Sequence, residues 1–239
     1  MYDCWIDAVI ATCIMSDDDK RVAAEMAVAE IESGMLVGLG TGSTAAHAIT
    51  AIGRRVAEGL RIRAVATSLA SAEQARGLGI EVLDFADVPA VDLTIDGADE
   101  IDSALAVVKG AGGAMLREKA VAAASARMVV IADGSKLVGR LGVASLPVEV
   151  LPFARAFVFA RLAALGEPVA RGSGAYLTDN GNLIADLAGW DASDPARLAA
   201  RLQAIPGVVG HGLFLTEVSA AYIADGGAVT RLERGEPSG

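Results

Sequence analysis

The hydrophobic positions of this chain come in short blocks whose period switches between helical and extended. From Asp17 to Glu32 the residues Val22, Ala23, Met26, Ala27 and Ala29 form one apolar face at helical spacing. Asp17, Asp18 and Asp19 suit the positive end of that helix, and Gly34 ends it. The apolar run 35–40 reads as a strand, and Thr41-Gly42-Ser43-Thr44 opens a second helix reaching to about Glu58. A strand over 61–68, a helix over 71–79, strands over 80–85 and 91–96, a helix from Gly113 to about Ser125 and a strand over 127–133 follow. Strand and helix therefore alternate from 35 to 133, which predicts an α/β domain with a Rossmann-like, mostly parallel sheet.

Near Gly142 the rhythm changes. A strand over 146–152 precedes a helix from about Ala154 to Leu165, closed by Gly166. Residues 168–188 read as two strands around a turn at Asn180-Gly181. A helix over 194–205 has Asp194 as N-cap and Pro195 in its first turn, and 208–215 is one more strand. This β-α-β-β-α-β order resembles a small ferredoxin-like α+β domain. The stretch 220–232 is expected to return to the first sheet. The expected organisation is an N-terminal extension (1–16), an α/β domain (17–143 plus 219–239) and an α+β domain (144–218).

Composition narrows the function classes. The net charge of -10 disfavours nucleic acid, whose phosphates need a basic face. An anionic ligand must then be held by a few local cations and backbone N–H groups. Cys4 and Cys13 lie outside every motif below, so neither a disulfide framework nor a zinc site is expected, and a reducing cytoplasm fits. The first sixteen residues are apolar but carry Asp3 and Asp7, lack a basic start, and are too short for a membrane span.

Four segments carry candidate chemistry. Gly38-Leu39-Gly40-Thr41-Gly42-Ser43-Thr44 joins a strand to a helix, where free N–H groups and the two hydroxyls can hold phosphate. It is neither a P-loop nor a dinucleotide fingerprint, because Ser43 stands where the third glycine belongs. Asp96-Gly97-Ala98-Asp99-Glu100 follows a buried strand at the carboxyl edge, where open α/β sheets bind ligands; metal binding and hydroxyl recognition are both open readings. Lys109-Gly110-Ala111-Gly112-Gly113 sets a cation beside another helix start, with Glu118 one and a half turns further on. Asp133-Gly134-Ser135-Lys136 follows the next strand. The chain has four lysines (Lys20, Lys109, Lys119, Lys136) against sixteen arginines, and three of the four fall in or beside these loops. That clustering points to ammonium groups gathered at one site. His47 and His211 read as structural, so acid–base chemistry falls to carboxylates and lysines.

Taken together and in this order, GLGTGSTA, DGADE, KGAGGAMLREK and DGSK resemble ribose-5-phosphate isomerase of the A type, as do LPVEVLPFAR, TDNGN and AIPGVVGHGLF. The resemblance runs from about Lys20 to Leu232. It implies interconversion of ribose 5-phosphate and ribulose 5-phosphate through a cis-enediolate, in the non-oxidative pentose phosphate pathway, with no cofactor or metal. It also implies a homodimer or homotetramer. By position, the substrate loops are Thr41 to Thr44, Asp96-Gly97-Ala98-Asp99, and Lys109-Gly110-Ala111-Gly112; Glu118 is the base, Lys136 binds substrate and Lys20 lies near the phosphate. Lys109 with the Gly110 to Gly112 backbone would steady the enediolate, and Asp96 and Asp99 would bind hydroxyls, one of them assisting ring opening. Ala111 replaces the usual glycine, Gly134 an alanine, and 139–145 is irregular against the pattern. The rival functions are a sugar-phosphate sensor, which should carry a helix-turn-helix and lack Glu118, and a nucleotide-dependent oxidoreductase, which the broken fingerprint opposes.

Overall fold

A computed structural model describes residues 17–235, so the expected extension over 1–16 lies outside the described residues. Helix α1 covers 17–28. Then come β1 (Leu36–Leu39), α2 (Ser43–Ala57), β2 (Arg63–Ala66), α3 (Leu69–Gly77), β3 (Glu81–Val82), β4 (Val91–Gly97), β5 (Glu100–Ile101), β6 (Val107–Val108), α4 (Met115–Ala123) and β7 (Ser125–Asp133). The second half holds β8 (Leu146–Val150), α5 (Arg155–Leu162), β9 (Glu167–Ala170), β10 (Leu183–Ala188), α6 (Pro195–Gln203), β11 (Val208–His211), β12 (Leu213–Phe214), β13 (Ala220–Asp225) and β14 (Ala228–Glu233).

The main sheet has the order β14-β13-β7-β4-β1-β2-β3. Every pairing in it is parallel except that of the edge strand β14 with β13. The chain leaves β1 toward β2 on one side, while β4 lies on the other, so the strand order reverses between β1 and β4. A crevice forms outside the carboxyl ends of the strands at such a reversal. The central strands are buried on both faces, as β4 illustrates with Leu93 and Ile95 on one face and Thr94 and Asp96 on the other. Tyr222 and Ala224 of β13 join the same core, so the 220–232 stretch does return to this sheet.

A second sheet, β11-β8-β10-β9, is antiparallel throughout. With α5 and α6 it has the β-α-β-β-α-β order of a ferredoxin-like unit. Its core is a separate cluster built on Leu146, Val148, Val150, Leu162 and Leu187. A small third sheet, β12-β6-β5, and a cluster containing Met115, Met128, Ile184 and Phe214 pack between the two.

Three local expectations are corrected. Helix α1 stops at 28 rather than at Glu32, where the Arg55 guanidinium takes the Val28 and Ile31 carbonyls, the latter at 3.0 Å. The expected strand over 208–215 is two strands that part at Gly212, where the chain passes from pairing with β8 to pairing with β6, and a Cβ at 212 would stand 2.0 Å from the Lys109 carbonyl. Asn180-Gly181 is not the tip of a tight hairpin. The chain leaves β9 at Ala170, and residues 178–182 instead wrap the buried Glu149 carboxylate, which accepts from Thr178 Oγ1, Asn180 Nδ2 and Asn182 Nδ2 at 2.9–3.0 Å.

Candidate active site

The carboxyl ends of β1, β4 and β7 deliver three of the four candidate segments to one place. A cleft of about 320 Å³ opens there. It is lined by Lys20, Thr41 to Thr44, Gly97 to Asp99, Lys109 to Gly112, Glu118 and Lys136. Lys119 is not among them. It turns away from the cleft, with Nζ 3.3 Å from His211 Nδ1 and 4.7 Å from the Phe214 ring centre, so the ammonium groups that meet at the cleft are Lys20, Lys109 and Lys136.

The phosphate-type loop is shaped by contacts beneath it. A side chain at Gly40 would stand 2.1 Å from Asp96 Oδ1, so glycine is what lets the loop cross over β4. Helix α2 has Gly42 at its N-cap and no side-chain cap hydrogen bond, which leaves the first-turn amides available to an anion. Thr67 Oγ1 donates to Leu39 O at 3.0 Å and stands 2.7 Å from Thr41 Oγ1, while Ser71 Oγ donates to Gly40 O at 2.7 Å. No motif in the sequence marks Thr67 or Ser71. Their hydroxyls sit in a strand end and a helix start that look ordinary on their own.

Lys109 is buried, and its Nζ donates to Gly97 O at 2.6 Å and pairs with Asp96 Oδ2 at 2.9 Å and Glu118 Oε2 at 3.4 Å. Asp96 lies wholly behind this ammonium. Its Oδ1 accepts from the Gly97 and Thr41 N–H groups, at 2.7 and 3.0 Å, so the expectation that Asp96 and Asp99 face the pocket together is met by Asp99 alone. Asp99 Oδ2 accepts from Ala111 N at 2.8 Å and ties the acidic loop to the glycine-rich one. Glu100 serves elsewhere: its carboxylate accepts from the Gly142 and Ala144 N–H groups and pins the loop that contains them. Among the described residues no cluster of three or more His, Cys, Asp and Glu side chains is placed to hold a metal ion. Nor is any helix there long and apolar enough to cross a membrane.

Glu118 is aimed inward by helix geometry. Met115, Glu118 and Ala122 lie three and four residues apart on the buried face of α4, so a carboxylate takes a place where the stripe is otherwise apolar. Only 3% of the residue is exposed, and Oε2 has no hydrogen bond. Burial, reinforced by the Asp96 charge and opposed by Lys109, pushes its pKa up to about 8. Burial works to discharge the Lys109 ammonium, but the Asp96 and Glu118 carboxylates outweigh it and hold that pKa above its ordinary value. Burial likewise raises Asp96, against the pull of Lys109 and two backbone N–H groups. The arrangement is a buried carboxyl group with a raised pKa beside a buried cation, both at the wall of the cleft.

A family model described as ribose 5-phosphate isomerase A (phosphoriboisomerase A) matches residues 63–227. The chain belongs to the ribose-5-phosphate isomerase A family. It is 52% identical over 221 residues to ribose-5-phosphate isomerase A of Sphingopyxis alaskensis, covering 91% of this chain and 97% of that one. Against the enzyme of Roseiflexus castenholzii it is also 52% identical, covering 90% and 94%. The crystal structure of ribose 5-phosphate isomerase A from Neisseria gonorrhoeae superposes with a TM-score of 0.87 at 37% identity, covering 92% of this chain and 98% of that one. A D-ribose-5-phosphate isomerase solved with phospho-erythronic acid gives 0.86 at 32% identity, over 92% and 99%. Within this fold the α/β sheet supplies the cleft floor, and the antiparallel unit packs against the α4 side of it.

Proposed function

We propose that this protein interconverts D-ribose 5-phosphate and D-ribulose 5-phosphate as an aldose–ketose isomerase of the non-oxidative pentose phosphate pathway. The observation that carries the reading is the buried Glu118–Lys109 pair, 3.4 Å apart, at the wall of a cleft whose other end is a helix N-terminus rich in free donors. The α2 start with Ser43 and Thr44, together with Lys20 and Lys136, grips the 5-phosphate. Asp99, on the cleft wall, binds a sugar hydroxyl and assists ring opening. Asp96 acts from behind, as the counter-ion that keeps Lys109 charged.

With the open-chain sugar in place, the Glu118 carboxylate takes the C2 proton, and the electron pair moves through C2–C1 onto O1, giving a cis-enediolate. Lys109 and the glycine-rich loop stabilise the developing charge. The O2 proton passes to O1, Glu118 returns its proton to C1, and the C2 carbonyl of the ketose forms. Atoms and charge balance without an added oxidant, reductant or metal. A pKa near 8 makes the carboxylate a stronger base toward carbon than an exposed one, at the cost of being mostly protonated at neutral pH.

The two main hydrophobic clusters, one per large sheet, support the division of the chain at about 143 and 219. Exposed Phe153 and Phe157 supply an apolar face suited to self-association as a homodimer or homotetramer in the cytoplasm, which light scattering measures directly. The test of the function itself is ribulose 5-phosphate formation from ribose 5-phosphate by the purified protein in EDTA. Turnover is expected to persist in the chelator and to be lost in Glu118→Gln with substrate binding kept. A wild-type protein without turnover would overturn the reading.

A further inference from the structure

Arg171 lies in a segment to which the sequence assigned no chemistry, beyond the end of β9, yet it holds the glycine-rich loop of the cleft. Its Nη1 donates to Gly110 O at 2.9 Å and to Ala111 O at 3.0 Å. Its Nε donates to Asp186 Oδ2 at 2.9 Å, and Nη2 pairs with the other oxygen of the same carboxylate. The Tyr176 ring centre stands 5.6 Å from the guanidinium carbon, and the Tyr176 hydroxyl donates to Gly112 O at 3.4 Å. Asp186 therefore fixes one edge of a planar fork, and the fork presents another N–H pair to two successive carbonyls.

The loop's backbone groups can be followed one peptide at a time. Peptide 110–111 is held at both ends, its carbonyl by Arg171 and its N–H by Asp99 Oδ2 at 2.8 Å. The Gly113 N–H closes a turn onto Gly110 O at 2.9 Å. Peptide 111–112 is held at its carbonyl only: among the described residues the Gly112 N–H makes no hydrogen bond. Among the described residues there are no cis peptides, so the carbonyl and N–H of one plane point in opposite directions. Drawing Ala111 O toward Arg171 turns the Gly112 N–H away from it, and Gly112 lines the cleft. A cation on the carbonyl also polarises the N–H of the same amide.

We infer that Arg171 is a positioning residue for isomerisation: by gripping the Gly110 and Ala111 carbonyls it aims the Gly112 N–H at the enediolate oxygen. This rests on the function proposed above. A donor so placed gains strength as charge develops on the sugar oxygen, so its loss lowers kcat more than it raises KM.

The test uses Arg171→Lys and Arg171→Ala in the full chain. Lysine keeps the charge, but a single ammonium cannot reach Asp186 and both carbonyls in the geometry of the fork. The readouts are kcat and KM for ribose 5-phosphate and the inhibition constant of phospho-erythronic acid, whose planar carboxylate carries negative charge as the enediolate does. Both variants are expected to lose about 10²-fold in kcat with KM within about threefold, the scale of losing one oxyanion donor. Inhibition by phospho-erythronic acid should weaken about tenfold or more, and millimolar guanidinium should restore part of the Arg171→Ala turnover. A kcat within about threefold of wild type overturns the inference. So does a fall in kcat with unchanged inhibition and no guanidinium rescue, which marks a merely structural role. Wild-type protein inactive on ribose 5-phosphate would strike the function reading first, and this inference with it.

Discussion

Replacing Glu118 by glutamine should abolish turnover and yet make the fold more stable in alkaline solution. The carboxyl group titrates at about 8 in the folded protein against a reference of 4.5. Below the lower value both states are protonated and the group has no pH-dependent effect. Between the two, only the unfolded chain releases its proton, so wild-type stability falls by about 1.4 kcal/mol per pH unit. Across that interval the loss is on the order of 5 kcal/mol, and above it no more is lost. Glutamine does not titrate and removes this slope. A buried amide N–H without a partner costs about 1–3 kcal/mol, so the net gain at high pH is about 2–4 kcal/mol. Urea unfolding of both proteins at a series of pH values from about 5 to 9 measures the difference directly. The variant should gain on the wild type as pH rises and level off near the upper pKa. A difference that stays flat with pH, or a wild type that gains on the variant, would refute the claim that burial holds the proton on Glu118. The same titration governs catalysis: kcat/KM should rise with pH until about 8, dropping roughly tenfold per unit well below it.

Lys109→Arg should lower kcat/KM by about 10²-fold or more, because a planar guanidinium does not fit where one ammonium meets Asp96, Glu118 and the Gly97 carbonyl; steady-state kinetics near the wild-type value would contradict this. Ser43→Ala and Thr44→Ala should each raise KM by about 5- to 30-fold with kcat nearly kept, the signature of a lost phosphate contact worth about 1–2 kcal/mol, and the same variants assayed with an unphosphorylated pentose should show no such change.

Much of the fold was legible because its main signals are local. The loop from Gly38 to Thr44 announces a strand, a turn and a helix start within a few residues, and the alternation that continues to 133 dictates a parallel sheet. Glu118 was readable for a different reason: it lies one and a half turns into the helix that follows the Lys109 loop, and the family resemblance puts the base at that position. What stayed hidden depends on contacts far apart in the chain. Arg171 is one arginine among sixteen, and it meets the Gly110 carbonyl only because the antiparallel unit packs against the first sheet. Asp96 and Asp99 look equivalent in the sequence, yet the close crossing of Gly40 over Asp96 buries one carboxylate and leaves the other on the cleft wall. The break at Gly212 is equally silent, since nothing in 208–215 tells that the Lys109 carbonyl, a hundred residues earlier in the chain, passes beside it.

The central claim is that the Glu118 carboxylate itself carries the proton between C2 and C1. It is tested most directly by following the label of ribose 5-phosphate deuterated at C2, by NMR, with wild type and Glu118→Gln under saturating substrate. In the wild type the deuterium should leave C2 and appear at C1 of the ketose or in solvent. In the variant it should stay at C2 while the sugar phosphate still binds; loss of the label at the wild-type rate would contradict the account.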